Sequence, residues 1–354
     1  MINKPHQPVN YSQPKLLRYI AATVLSLVCA GIFGCGQNAD NVPARHITIS
    51  NIEPRLDSNG NIIDAHDGCI EQFAGKFYLY GTAYGSTDGF TVANHYVCYS
   101  SPDLVKWTFH GDILSNAPVG VYYRPYVKYN RKTNKYVLWY NWYSKLWEGQ
   151  YGVATADSPE GPFIIQNTNV EVKQPKPGDH GLFVDDDGTG YLIYTSIEKD
   201  HGISVEKLNE DYLSSTLKNS DIIAKGCEAP SLIKKAGLYY AFFDNCCCFC
   251  AEGSGARIYT AGSPMGPFIL KGNINRSEDG KVIIPAQQTH IAEIRTKSGI
   301  EYIWMGDLWK SSPDGIKGHD FQYWSSPLKF DANKVIERLQ WQDSYSIDLP
   351  VSQK

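Results

Sequence analysis

Apolar and polar positions along this chain fall into short aromatic runs, each entered through a turn led by Gly or Asn. Five runs repeat the pattern: Gly75-Lys-Phe-Tyr-Leu-Tyr80, Asn134-Lys-Tyr-Val-Leu-Trp-Tyr140, Gly188-Thr-Gly-Tyr-Leu-Ile-Tyr194, Gly237-Leu-Tyr-Tyr-Ala-Phe-Phe243 and Gly299-Ile-Glu-Tyr-Ile-Trp304. A second strand follows each, and then a stereotyped turn. Val97–Leu104 is closed by Trp107, while Ser158-Pro-Glu-Gly-Pro-Phe163 and Ser263-Pro-Met-Gly-Pro-Phe268 are nearly identical. Pro and Gly in those turns stop a strand and set a tight reversal. The third unit has Val205–Tyr212 in place of such a turn, and the fifth ends in Trp324-Ser-Ser-Pro-Leu-Lys-Phe330. The spacing of roughly 50–60 residues matches the periods of propeller blades.

Short strands at regular intervals predict an all-β protein. Repeats that cannot bury a face alone pack on their neighbours, and radial closure hides the sheet edges. The sequence therefore predicts a single-domain five-bladed β-propeller over residues 46–354, with the segment around Trp341-Gln-Asp343 returning to close the ring. An open β-sandwich is the alternative, and sandwiches seldom repeat in this way.

The N-terminus departs from this pattern. Tyr19–Phe33 is an apolar run preceded by Lys15 and Arg18, of signal-peptide length and short for a membrane span. It ends at Ile32-Phe33-Gly34-Cys35, which resembles a bacterial lipobox with Cys35 as the lipidated first residue of the mature chain. The expected organisation is signal and lipobox over residues 1–35, a polar tether over 36–45, then the propeller. The expected product is an exported outer-membrane or cell-surface lipoprotein, periplasmic or secreted if Cys35 is not lipidated. Export implies an oxidising compartment. Setting aside Cys29 and Cys35, seven cysteines remain: Cys69, Cys98, Cys227, Cys246, Cys247, Cys248 and Cys250. Adjacent thiols point apart and lack the loop that metal-ligand pairs use, so buried thiols or a disulfide within the run are expected, with no metal. A Cys69–Cys227 bridge has no spacing argument behind it.

Composition narrows the function. Lys plus Arg total 33 against 37 for Asp plus Glu, a net charge of −4 with no basic excess, which excludes nucleic acid as the expected partner. Three acids stand just ahead of aromatic runs: Asp67 in Asp64-Ala-His-Asp-Gly-Cys-Ile70, Asp179 in Gly178-Asp-His-Gly-Leu-Phe183, and Glu228 in Gly226-Cys-Glu-Ala-Pro-Ser-Leu-Ile233. In a propeller such positions converge on one funnel. Sugar-bond hydrolysis needs one acid to protonate the leaving oxygen and one carboxylate to activate water. A third acid can raise the first one's pKa and orient it. Tyr122, Tyr123, Trp139, Trp142, Trp304 and Trp309 are candidate platforms for sugar faces.

Taken together, these motifs resemble glycoside hydrolase family 43, the five-bladed propeller glycosidases. Asp67-Gly-Cys-Ile resembles the family's first-blade Asp-Pro-x-Ile segment, which implies a general base at Asp67. Asp179-His-Gly-Leu-Phe, followed by Asp185-Asp-Asp-Gly188, resembles the segment that carries the pKa modulator. Glu228-Ala-Pro-Ser-Leu-Ile resembles the segment that carries the general acid. Within the family, Ile63-Asp-Ala-His66, Arg124-Pro-x-Val-x-Tyr-Asn130, Leu182–Gly188, Glu228-Ala-Pro230, Met305-Gly-Asp307 and Gln287-Gln-Thr-His290 resemble the exo-β-1,3-galactosidase (galactanase) branch. That branch typically has Glu before Arg-Pro and lacks the first-blade Asp, whereas here Tyr123 precedes Arg124 and Asp67 is present.

The resemblance implies an inverting glycosidase that removes terminal sugars from a poly- or oligosaccharide, with β-galactosyl first and arabinofuranosyl or xylosyl second. Base and acid carboxyls would then lie about 6.5–9.5 Å apart. His66, Tyr123, Arg124, Trp142, His180, Gln287, Asp307 and Trp309 are the expected substrate-binding residues. No cofactor is required, the sequence offers no support for an axial Ca2+, and a monomer is expected. The rival readings are a carbohydrate-binding propeller without catalysis and a protein–protein scaffold.

Overall fold

The computed structural model describes residues 44–246, 249–253 and 255–351. The signal segment, Cys29, Cys35, the tether up to residue 43, and Cys247 and Cys248 lie outside the described residues.

Strand β1 (Ala44–Ser50) begins inside the stretch expected as tether. Blade one is β2 (His66–Phe73), β3 (Lys76–Ala83), β4 (His95–Ser101) and β5 (Thr108–Asp112), paired antiparallel in that order. The two-residue β6 (Leu114–Ser115) joins the outer edge of blade two, which is β7 (Val121–Asn130), β8 (Lys135–Tyr143), β9 (Gly149–Ala156) and β10 (Phe163–Asn167). Blade three is β11 (Pro177–Val184), β12 (Gly190–Ser196), β13 (Gly202–Leu208) and β14 (Ser215–Asn219). Blade four is β15 (Cys227–Lys235), β16 (Leu238–Asn245), β17 (Arg257–Ala261) and β18 (Ile269–Asn273). Blade five has three strands, β19 (Gln287–Thr296), β20 (Gly299–Leu308) and β21 (Phe321–Trp324). The sheets form a five-bladed β-propeller.

The repeat starts one strand earlier than the aromatic runs suggest. Those runs are the second strands of the blades, and the innermost strands β2, β7, β11, β15 and β19 precede them. The second strands are buried on both faces between neighbouring blades, so they read as continuous apolar segments: Tyr80, Trp139, Tyr194, Phe242 and Trp304 are all essentially inaccessible. The repeated turns do the work their composition implies. Gly161 and Gly266 adopt φ 83° and 85°, a region closed to most side chains, and Phe163 then inserts into the core.

The ring closes through the chain ends. β22 (Ser344–Pro350) pairs antiparallel with β1, and Ile47, Ile49, Ile347 and Leu349 pack into the core shared by blades one and five. Asn51 pins this clasp: its side-chain amide donates to the Trp324 carbonyl at 3.0 Å and accepts from the Trp324 amide at 3.0 Å. The Arg55 guanidinium lies 3.7 Å over the Trp324 ring. Cys69, Cys98 and Cys227 are buried free thiols, so Cys69 and Cys227 are not bridged, while Cys250 is disulfide-bonded.

Candidate active site

All five innermost strands break register at the funnel. The shifts fall between His66 and Cys69, Tyr123 and Tyr126, Pro177 and His180, Glu228 and Ser231, and Gln288 and His290. A bulge of this kind leaves residues unpaired and re-aims their side chains. Asp67, Arg124 and Asp179 therefore sit in the unpaired steps, and Glu228 sits at the edge of one. Asp67, Arg124 and Ala229 adopt φ 57°, 52° and 51°, a left-handed conformation that is costly for non-glycine residues and concentrates at functional sites. Gly68 is required beside Asp67, because a Cβ there would lie 1.6 Å from the Tyr80 carbonyl oxygen.

Asp67, Asp179 and Glu228, drawn from blades one, three and four, line one solvent-open cavity of about 580 Å3. Tyr123, Arg124 and Gln287 line it as well, with Tyr84, Phe90, Tyr143, Trp147 and Phe249 as aromatic walls.

Asp67 is buried and surrounded by ionisable groups. The Tyr84 hydroxyl donates to Asp67 Oδ2, and the Asp67 backbone N–H donates to Asp307 Oδ2 at 2.9 Å. Burial pushes the Asp67 carboxyl up; Arg124 pulls it down, Asp307 and Asp179 add to the rise, and the Tyr84 bond lowers it, leaving it at about 6. His66 stands behind. Burial disfavours its charge, but Asp307, with Oδ1 3.0 Å from Nδ1, together with Asp64 and Asp67 outweighs this and holds the ring up at about 9.

Arg124 spans the middle of the funnel. Its Nε lies 2.9 Å from Asp179 Oδ2, and its two terminal nitrogens donate to the carbonyls of Thr289 and Gln288 at 3.3 and 3.4 Å. Burial works against this charge, but Asp179 and Asp67 hold it well above the ordinary arginine range. Asp179 Oδ2 also accepts the Ala229 backbone N–H at 3.1 Å, which ties blade three to the residue after Glu228. The Thr289 carbonyl takes a further bond from Tyr126 at 2.7 Å.

Glu228 is held by a neutral group. Gln287 Nε2 donates to Glu228 Oε1 at 3.0 Å. Gln287 is oriented in turn, since its Oε1 accepts from Trp309 Nε1 at 2.7 Å and from the Phe249 backbone N–H at 3.2 Å. A residue with an oriented amide on one oxygen and a cavity beside it can present a proton to a bound ligand.

Several expected substrate-binding residues lie elsewhere. Trp142 stacks on Tyr122 at 6.2 Å and donates to the Thr168 carbonyl at 2.7 Å, so it packs within blade two. His180 is fully buried between Tyr126 and Tyr151, and burial drops it to about 3, so it is a neutral core ring. His66, Asp307 and Trp309 form a layer behind the cavity wall rather than the wall itself. Sequence reading missed Tyr84 and Phe249. Tyr84 follows the second strand of blade one and carries no motif. Phe249 sits in the cysteine run, between residues read only for their thiols. It packs edge-on to Trp309 at 4.9 Å and Tyr84 at 5.6 Å, and Lys317 Nζ lies 3.6 Å over its ring.

Comparison with known proteins agrees with this geometry. Residues 62–303 match the model of the Glycosyl hydrolases family 43. The chain is 30% identical over 233 residues to a β-D-galactofuranosidase of Aspergillus niger, a match covering 57% of this chain and 64% of that protein, so it spans under two thirds of that relative. A solved family 43 β-1,3-galactosidase bound to galactodeoxynojirimycin superposes with a TM-score of 0.73 at 26% identity, over 83% of this chain and 99% of that one. An exo-β-1,3-galactanase of Clostridium thermocellum superposes with a TM-score of 0.74 at 27% identity, over 85% of this chain and 67% of that one. With its family model spanning four blades and the start of the fifth, the chain belongs to glycoside hydrolase family 43, whose members hydrolyse glycosidic bonds.

Proposed function

We propose that this protein is an inverting glycosidase that releases terminal sugars from a poly- or oligosaccharide, with a β-galactosyl unit as the first substrate class. Arabinofuranosyl and xylosyl units come second. The observation that carries the reading is the convergence of Asp67 and Glu228, from blades one and four, on a single aromatic-walled cavity.

Asp67 is the general base. Above pH 6 it is ionised, and with Tyr84 occupying Oδ2, its other oxygen is left to take the proton of the attacking water. Glu228 is the general acid, oriented through the Gln287 amide on Oε1 to carry a proton to the leaving oxygen. Asp179 orients the acid by anchoring the next backbone N–H and neutralising Arg124. Phe249, Tyr84 and Trp147 offer ring faces to the sugar. The similarity to structures described as β-1,3-galactosidase and exo-β-1,3-galactanase supports galactose. The N-terminal pattern supports export and anchoring through Cys35, with the folded chain acting as one domain and as a monomer.

The test is a panel of nitrophenyl glycosides and β-1,3-galactan, arabinan and xylan oligomers, incubated with the wild type and with Glu228→Gln. The expected outcome is release of one monosaccharide by the wild type, abolished in the variant. Saturable binding of an oligomer with no release would replace catalysis by sugar recognition alone.

A further inference from the structure

The cysteine run gives no metal site by its own spacing, but the fold brings one of its thiols to groups from other segments. Cys246 Sγ lies 3.3 Å from His201 Nδ1 and 3.8 Å from Nε2. One ligand atom each from His201, Cys246 and Glu228 lie within 4.8 Å of one another. Zinc bound by sulfur at about 2.3 Å and by nitrogen or oxygen at about 2.0–2.2 Å spaces its ligands about 3.4–3.8 Å apart at tetrahedral angles. The observed sulfur–nitrogen separations of 3.3 and 3.8 Å bracket that spacing, and the carboxylate oxygen stands within 4.8 Å of both groups.

The three segments are also stitched to one another. The Cys227 N–H donates to the His201 carbonyl at 3.1 Å, the Gly226 N–H to the Asp200 carbonyl at 2.8 Å, and the Cys246 N–H to the Gly226 carbonyl at 3.4 Å. β15 and β16 pair Cys227 with Asn245 and Glu228 with Asp244, which sets Cys246 one step beyond the pairing. The adjacent cations are committed elsewhere: Lys225 Nζ to Asp200 at 2.9 Å, and Arg257 to the carbonyls of Lys225 and Gly226. Imidazole, thiolate and carboxylate make a borderline-soft set that suits Zn2+ and disfavours Ca2+ or Mg2+.

We propose that His201, Cys246 and Glu228 form a three-ligand Zn2+ site at the cavity rim, with the fourth position open to the cavity, and that zinc there switches off hydrolysis. Binding displaces the Cys246 thiol proton and takes up the Glu228 carboxylate in its ionised form. The carboxyl can then no longer deliver a proton. The inhibition rests on Glu228 as the acid; the binding does not.

The experiment uses the full chain without added thiol and titrates it with Cd2+, which reports a thiolate ligand through an ultraviolet charge-transfer band, and separately with Zn2+ during hydrolysis. The wild type should show the band saturating at one equivalent. Cys246→Ser and His201→Asn should each lose it, with circular dichroism confirming that both fold. Cys246→Ser should hydrolyse substrate at the wild-type rate and need at least tenfold more Zn2+ for half-inhibition. No band in the wild type, a band that survives in Cys246→Ser, or equal zinc inhibition of the two proteins would overturn the site. A protein that shows the band and cleaves no glycoside would refute the proposed function and leave the metal site in place.

Discussion

The two sides of the funnel hold their carboxylates by different physics. Asp67, in blade one, is set among charges: burial pushes its carboxyl up, Arg124 and the Tyr84 hydroxyl pull it down, Asp307 and Asp179 add to the rise, and the balance leaves it at about 6. Glu228, in blade four, is bonded to the neutral amide of Gln287, which is itself fixed by Trp309 and a backbone N–H. Both carboxylates are buried to a similar degree. The contrast shows that depth alone does not assign acid and base. Burial and charged neighbours together set the titration of Asp67, whereas the oriented amide of Gln287 fixes the direction of one Glu228 oxygen.

The contrast can be broken most strongly at its ends. Glu228→Gln and Asp67→Asn each remove a proposed proton-transfer group and should lower kcat by about 10²–10⁴-fold in steady-state assays, with the fold unchanged by circular dichroism. Arg124→Met leaves Asp179 without its buried partner at 2.9 Å and removes the charge that pulls Asp67 down. It should cost about 3–5 kcal/mol in denaturant unfolding.

The pH dependence sharpens the comparison further. Because the Asp67 carboxyl is raised to about 6, kcat/KM should fall as pH drops below that value, tending to about tenfold per pH unit. The Tyr84 bond lowers that value, so Tyr84→Phe should move the acid limb to higher pH. Removing Trp309 leaves Gln287 without one donor and should reduce kcat without shifting that limb.

A stability effect lies behind the base. His66 is raised in the folded state to about 9, against about 6.5 for an ordinary histidine. Its pairing with Asp307 therefore stabilises the fold fully below pH 6.5, and that contribution disappears as pH rises through 9. Thermal unfolding should show a decline of about 3 kcal/mol over this window, flattened in His66→Asn. The smallest effect is expected at the aromatic wall, where Phe249→Ala should raise KM about 2–10-fold with little change in kcat.

The sequence made the fold legible because propeller blades repeat a local signal. Aromatic second strands buried on both faces leave unbroken apolar runs, and Ser-Pro-x-Gly-Pro-Phe turns mark their partners. The inner strands were harder to read. A bulge interrupts each one at the funnel, so alternation fails where the chemistry sits. Asp67, Asp179 and Glu228 could still be picked out as acids ahead of apolar runs. Their partners Arg124, Gln287 and Asp307 are placed at the site only through the resemblance and as sugar contacts; the pairings themselves carry no local signal, since they are remote in the chain, as where His66 meets Asp307 across 241 positions. Trp142 and His180 show the opposite failure. An aromatic or imidazole ring near a motif looks the same in sequence whether it faces a sugar or a core, and here both face the core. Phe249 was hidden by its cysteine neighbours.

The central claim is that Asp67 activates water while Glu228 protonates the leaving oxygen, with no covalent sugar–enzyme intermediate. Proton NMR of the first sugar released from a β-galactoside, followed before mutarotation, tests it most directly. The α-anomer as initial product is the predicted result. The β-anomer would contradict it, since retention requires a carboxylate that attacks the sugar rather than one that attacks through water.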